Sequence, residues 1–184
     1  MQLPPKSSPS SARFQSKASP IISISPSALT QIRDLSLASR EVESGGILVG
    51  NNIGRDIHII SASGPGPNAQ QSGSHFLRDT NYCREFLSRS YVESGADYVG
   101  EWHSHVIDLR QLSGGDLGTL AGIFIDPDYE FLTFAMVLVV VGAGEPELHV
   151  YSAERLEGTS RRRRIAITEL YSGIFPDGGR RHRC

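Results

Sequence analysis

Apolar residues recur along this chain with two periods, and the changes of period mark out its elements. Pro20-Ile-Ile-Ser-Ile-Ser25 alternates and predicts a short strand. Over residues 27–38, Leu29, Ile32, Leu35 and Leu37 form a helical stripe that Ser25 or Ser27 can cap. Residues 45–50 read as a buried strand, Asn51-Asn-Ile-Gly54 as a hairpin turn, and residues 56–62 as the returning strand. The longest predicted helix covers residues 76–94, where Phe76, Tyr82, Phe86, Leu87 and Tyr91 recur at helical spacing. Cys83 falls inside that pattern and reads as a small buried hydrophobe. Asp97-Tyr-Val-Gly100 is β-prone, and residues 117–125 form an apolar run of helical length. After a turn at Asp126-Pro-Asp128, the β-branched run 131–141 predicts a central strand, and the alternating stretch 147–154 its hairpin partner.

The stretches between are polar. Residues 63–74 hold Gly64, Pro65, Gly66, Pro67, Asn68 and two Gln, which predicts a long flexible loop of the kind that is often functional. Residues 1–19 are rich in Ser and Pro, with too little apolar surface to fold alone, and predict a disordered arm. Arg161 to Arg164 form a basic run that would suit an acidic partner or RNA, or would guard a solvated sheet edge against aggregation. It leads into residues 165–170, an edge strand or a helix, and residues 176–184 predict a disordered basic tail. One domain over residues 20–175 is expected, of class α/β, with a mixed sheet sandwiched between helices.

Composition narrows the functional classes. The chain has 184 residues, 39% hydrophobic and 21% charged, as globular domains do, and a formal charge of −2. Such a charge supports neither nucleic-acid nor membrane binding. Cys83 and Cys184 do not make a disulfide framework, and the lack of a Cys-x-x-Cys removes structural zinc clusters and zinc nucleobase deaminases. No apolar run reaches the ~18 residues that span a bilayer, and no signal-peptide core precedes the domain, so a reducing cytoplasm is the expected compartment.

The chemistry concentrates in Gly100-Glu-Trp-His-Ser-His105 and Ser113-Gly-Gly-Asp116. In a strand, residues two apart share a face, so His103 and His105 present two imidazoles side by side while Trp102 and Ser104 turn away. In a helix, residues three apart are neighbours, so Ser113 and Asp116 share the first turn. A helix start packed on a strand end can bring Asp116 to both imidazoles. Two neutral His and one carboxylate with an open fourth position make the catalytic type of zinc site. Ser113-x-x-Asp116 before an apolar run is also a capping box, and the two roles are compatible. Asp108 is the rival third ligand, in the loop 106–112.

His-Ser-His, seven residues, Ser, two residues and Asp resembles the motif of the JAMM (MPN-plus, or JAB) zinc metalloproteases. Glu43-Ser-Gly-Gly-Ile-Leu-Val-Gly50 resembles that family's upstream Glu segment, and Gly100-Glu-Trp-His-Ser-His105 resembles its prokaryotic branch. The resemblance covers roughly residues 20–155. It departs at Val106, where the family usually has Pro, so the loop 106–112 loses a φ restraint. The resemblance implies a curved mixed sheet with helices on both faces, of the cytidine-deaminase-like type. It also implies Zn2+ on His103, His105 and Asp116, with Glu43 as general base and Ser113 as oxyanion donor.

From the residues alone the base stays open. Glu101 lies two residues before His103 and would share its face, and Glu41 would share the face of Glu43 in an extended stretch. An Asp ligand leaves less positive charge on zinc than a third His does, which makes an external carboxylate base more valuable. The resemblance implies a peptidase that removes or matures a ubiquitin-like (β-grasp) modifier, cleaving after its last residue. The loop 63–74 and a strand edge near residues 45–50 would then meet the modifier. Proteins with this wording commonly accompany E1-like and E2-like enzymes in bacterial antiphage operons. The alternatives are processing of a sulfur-carrier protein and a non-catalytic MPN scaffold, although scaffolds usually lack one or more ligands and this chain keeps all three.

Overall fold

The computed structural model describes residues 18–142, 144–156 and 164–175. The expected arm up to residue 17, residues 161–163 of the basic run and the tail from residue 176 lie outside the described residues. The elements run β1 (Ile22–Ile24), α1 (Pro26–Ala38), β2 (Gly45–Ile53), β3 (Asp56–Ala62), β4 (Gln70–Ser72), β5 (His75–Leu77), α2 (Thr80–Ser94), β6 (Asp97–His105), α3 (Gly114–Ile125), β7 (Thr133–Val140), β8 (Glu147–Leu156) and β9 (Arg164–Ile174). Seven strands form one mixed sheet in the order β1-β3-β2-β6-β7-β8-β9, and β4 and β5 form a separate hairpin. β6 sits inside the sheet, antiparallel to β2 and parallel to β7, with α3 in the crossover.

Two apolar layers cover the sheet, because its middle strands are apolar on both faces. Ala28 and Ile32 of α1 pack with Leu48, Val99, Trp102, Val137 and Val139 on one face. Cys83 of α2 and Leu120 and Phe124 of α3 pack with Val49, Phe134, Met136 and Leu138 on the other. Leu120 and Phe124 are four apart and fully buried, so they fix the face that α3 turns to the sheet. Truncating Phe124 to Ala would cost about 3–5 kcal/mol. α1 starts where expected: Ser25 accepts the Ala28 N–H at 3.1 Å and Pro26 takes the first helical position. The basic run enters an edge strand rather than a helix, since β9 pairs only with β8 among the described residues.

Four expectations change. β2 continues through Asn51, Asn52 and Ile53, and the turn lies at Gly54, whose φ of +64° favours glycine. β2 is also no edge, because β3 and β6 flank it. The region read as a flexible loop contains β4, which pairs with β5 just beyond it, and the Gln-Gln-Ser of β4 gives no strand signal by propensity. The remainder of that region is held by Asp79, whose carboxylate accepts the Asn68 N–H and side-chain amide at 3.2 and 2.9 Å and whose own N–H reaches Pro65 O at 2.8 Å. Asp79 also caps α2 through the Asn81 and Tyr82 N–H groups. That helix therefore begins at Thr80, and Phe76 belongs to β5. The Phe76 ring lies against Gly45, where an added Cβ would come 2.7 Å from the ring and 2.5 Å from Trp102 O. Only glycine lets the hairpin approach the sheet this closely.

Candidate metal centre

β6 delivers His103 and His105 to the end of the sheet facing α3. Residues 101–105 alternate regularly: Trp102 enters the layer beneath α1 and its indole N–H donates to Ser63 O at 2.8 Å. The two imidazoles turn to the other side, where the start of α3 meets them. Ser113 caps that helix, accepting the Asp116 N–H at 3.2 Å, while Asp116 Oδ2 accepts the Ser113 N–H at 2.6 Å. The capping box orients the carboxylate toward β6. Asp116 Oδ1 lies 3.3 Å from His103 Nε2, Oδ2 lies 3.5 Å from His105 Nε2, and the two Nε2 atoms are 3.2 Å apart.

These separations have a simple reading. Four ligands arranged tetrahedrally at about 2.0–2.1 Å from an ion stand roughly 3.3 Å from one another. The three side chains thus fit one small tetrahedral cation, and among the described residues they form the one group of three or more His, Cys, Asp or Glu side chains able to hold a metal. The donor set suits an ion of intermediate softness. His105 Nδ1 lies 2.8 Å from Leu109 O. A carbonyl only accepts, so Nδ1 carries the proton and Nε2 keeps its lone pair for the centre.

The electrostatics agree. Burial disfavours an ionised Asp116, yet the bonds from His103 and His105 outweigh it and hold the carboxyl well below the usual carboxylate range. Burial also disfavours a charged His105, but Asp116 and Leu109 O outweigh it, with a further contribution from the charge of Glu43, and the net shift is upward.

Glu43 stands just before β2. Gly45 pairs with His103, and the ladder continues past it: Ser104 N–H donates to Ser44 O at 2.7 Å and Ser44 N–H to Ser104 Oγ at 3.0 Å. Two residues before Gly45, Glu43 comes opposite His105 on the face of the imidazoles. The hairpin brackets its backbone: Glu43 N–H donates to Ser72 O at 2.7 Å, and Gln71 Nε2 donates to Glu43 O at 3.0 Å.

The rivals separate clearly. Glu101 does share the His103 face, but its Oε1 accepts the Tyr98 hydroxyl at 2.6 Å and pairs with Arg78 Nη1 at 2.5 Å. A bulge in β6 between Tyr98 and Gly100 shifts the alternation and puts Tyr98 beneath Glu101. Glu41 is exposed in the turn after α1, so it is not in the extended stretch that would align it with Glu43. Asp108 is largely exposed and pairs with Arg110. His149 is buried, with Nδ1 3.0 Å from Glu169 Oε1, and stands outside the ligand group. Sequence reasoning missed Arg78, Gln71 and Arg110. For Gln71 a signal existed in the Ser72-Gly73 pair of the hairpin turn; Glu101, the partner of Arg78, and Glu147, the partner of Arg110 on β8, are distant in sequence. A groove of about 480 Å³ between α2 and β2–β3, lined by Val49, Ile60, Phe86 and Arg89 among others, contains none of these residues.

The family of prokaryotic homologs of the JAB domain matches residues 25–154, which span both His, Ser113, Asp116 and Glu43. The chain belongs to this family. This JAB-domain protein is also 28% identical over 151 residues to a protein of Enterobacter hormaechei named CD-NTase/cGAS isopeptidase, covering 79% of this chain and 82% of that one. Its fold is shared by the solution structure of a Desulfitobacterium hafniense protein at 18% identity and a TM-score of 0.51, over 72% of this chain and 84% of that one. The expected mixed α/β architecture and the prokaryotic JAB resemblance therefore both hold. Among the described residues no helix is long and apolar enough to cross a membrane.

Proposed function

We propose that this JAB-domain protein is a zinc-dependent isopeptidase that removes or matures a ubiquitin-like modifier by hydrolysing the bond after the modifier's last residue. The observation that carries the proposal is the convergence of His103 Nε2, His105 Nε2 and the Asp116 carboxylate at near-tetrahedral separations. When bound there, zinc supplies Lewis acidity toward water and toward the scissile carbonyl. Glu43 accepts the proton of the attacking water and returns it to the leaving amine. The bonds of its backbone to Ser72 and Gln71, and the ladder register that brings residue 43 opposite His105, support that role. Asp116 holds both imidazoles and anchors α3 at once. Ser113 Oγ uses a lone pair on the Asp116 N–H, which leaves its hydroxyl proton for the developing oxyanion.

The substrate reading draws on the hairpin. β5 has one partner, β4, among the described residues, and its outer edge can take an extended chain by main-chain hydrogen bonds. A ubiquitin-like tail is thin enough to lie there, whereas a folded surface is not. The name of the Enterobacter hormaechei relative, CD-NTase/cGAS isopeptidase, supports a conjugate whose target is a CD-NTase. An antiphage setting with E1-like and E2-like enzymes as partners rests on the family resemblance alone. The formal charge of −2 argues against electrostatic steering as the main source of affinity.

The test takes purified enzyme, a reporter fused behind a β-grasp modifier encoded beside this gene, and an unrelated β-grasp fusion. Zinc-dependent release from the first fusion alone, stopped by a chelator, is the expected result. Equal cleavage of an unfolded protein such as casein, or cleavage of neither fusion, would sink the proposal.

Ser113→Ala separates two roles of one residue. An oxyanion donor is worth about 10²-fold or more in kcat, whereas a helix cap alone contributes about 1 kcal/mol of stability. The expected outcome is a large fall in kcat with a melting temperature lowered by only a few degrees. A rate near wild type with the same small melting shift would leave Ser113 as a cap.

A further inference from the structure

The loop between His105 and Ser113 lacks a proline, yet it holds a carbonyl against a ring nitrogen of His105. Leu109 is that carbonyl, and its neighbours on both sides are tied down. Arg110 meets both carboxylate oxygens of Glu147, Nε to Oε2 at 2.8 Å and Nη2 to Oε1 at 3.0 Å. Its Nη1 pairs with Asp108, on the other side of Leu109. Its own carbonyl accepts the Tyr151 hydroxyl at 3.3 Å. Glu147 and Tyr151 both belong to β8, which is separated from β6 only by β7. The loop is thereby moored to a strand whose position is set by the sheet.

The guanidinium side chain is half exposed, and a pair of that kind contributes only about 0–1 kcal/mol to stability. Its consequence lies in position. Groups that hold the outer nitrogen of a metal-ligating His typically change metal affinity by about 10–100-fold. A forked Arg–carboxylate contact defines an orientation as well as a distance, which a Lys in the same place does not.

We propose that Arg110 is a positioning residue of the metal centre. By clamping the loop to Glu147 it holds Leu109 O against His105 Nδ1, keeps Nε2 free for the ion, and supplies the restraint that Val106 does not. This inference rests on the zinc reading above. Zinc affinity, measured by competition with a chromophoric chelator, tests it on wild type, Arg110→Ala, Arg110→Lys, Glu147→Gln, and Arg110→Ala combined with Val106→Pro. Melting of the metal-free proteins is followed alongside. Arg110→Ala, Arg110→Lys and Glu147→Gln should each bind zinc about 10-fold or more weakly, with metal-free melting temperatures close to wild type. Val106→Pro should recover most of the loss in Arg110→Ala. Zinc affinity in Arg110→Ala within about twofold of wild type, against the effect expected for such partners, overturns the proposal. So does a loss that the proline does not recover. A wild type that binds no zinc sinks both this inference and the reading it rests on; a wild type that binds zinc as tightly as Arg110→Ala sinks this inference alone.

Discussion

Replacing His103 and His105 together by Ala should reduce bound zinc to near zero and abolish turnover while the domain stays folded. The two side chains supply two of three converging ligands, and Asp116 alone would hold an ion only weakly. Neither imidazole belongs to the apolar layers that hold α3 on the sheet, which are built on Leu120 and Phe124. Asp116 would still cap its helix through Ser113. The fold of the double mutant should therefore survive, although its zinc-dependent rise in melting temperature should vanish. Elemental analysis of dialysed protein, with melting curves with and without zinc, checks both points. Full retention of zinc in the double mutant would place the metal elsewhere.

Glu43→Gln is expected to keep zinc and fold and to lose about 10²–10⁴-fold in kcat, the usual worth of a general base. Gln preserves shape, and the bonds that fix residue 43 run through its backbone to Gln71 and Ser72, so the substitution should not move the segment. What it removes is basicity opposite His105. Glu101→Gln is the comparison. That carboxylate is already committed to Arg78 and the Tyr98 hydroxyl, and holds both of these neighbours in place. Its loss should cost about 1–3 kcal/mol of stability through the weakened buried contacts. Single-turnover rates, zinc content and melting temperatures on the two variants decide between them. A dead Glu101→Gln with intact zinc and melting, beside an active Glu43→Gln, would show that the base is Glu101.

Much of this protein was decided by local rules. Periodicity marked α1 and the strand at residues 56–62, and an unbroken β-branched run marked the interior strand β7, because both are properties of neighbouring residues. The strand period placed His103 and His105 side by side, and the helical period placed Ser113 beside Asp116. Four chemistry-bearing residues were thus legible before any contact was known. The β4–β5 hairpin was not legible: Gln70, Gln71, Ser72 and His75 have no β-branched signature, and their pairing follows from packing Phe76 on Gly45. The choice among carboxylates was not legible either. Glu41, Glu43 and Glu101 are equivalent by type and nearly so by spacing. A turn removes Glu41, Arg78 and Tyr98 occupy Glu101, and the β2–β6 register carries Glu43 opposite His105. Each of these facts depends on residues tens of positions apart meeting in space, which hydrophobic period cannot encode. Sequence by itself determined which side chains could ligate and which helix and strand would carry them; tertiary structure decided which acid a distant Arg takes up and which lies opposite His105, because only packing brings residues so far apart in the chain together.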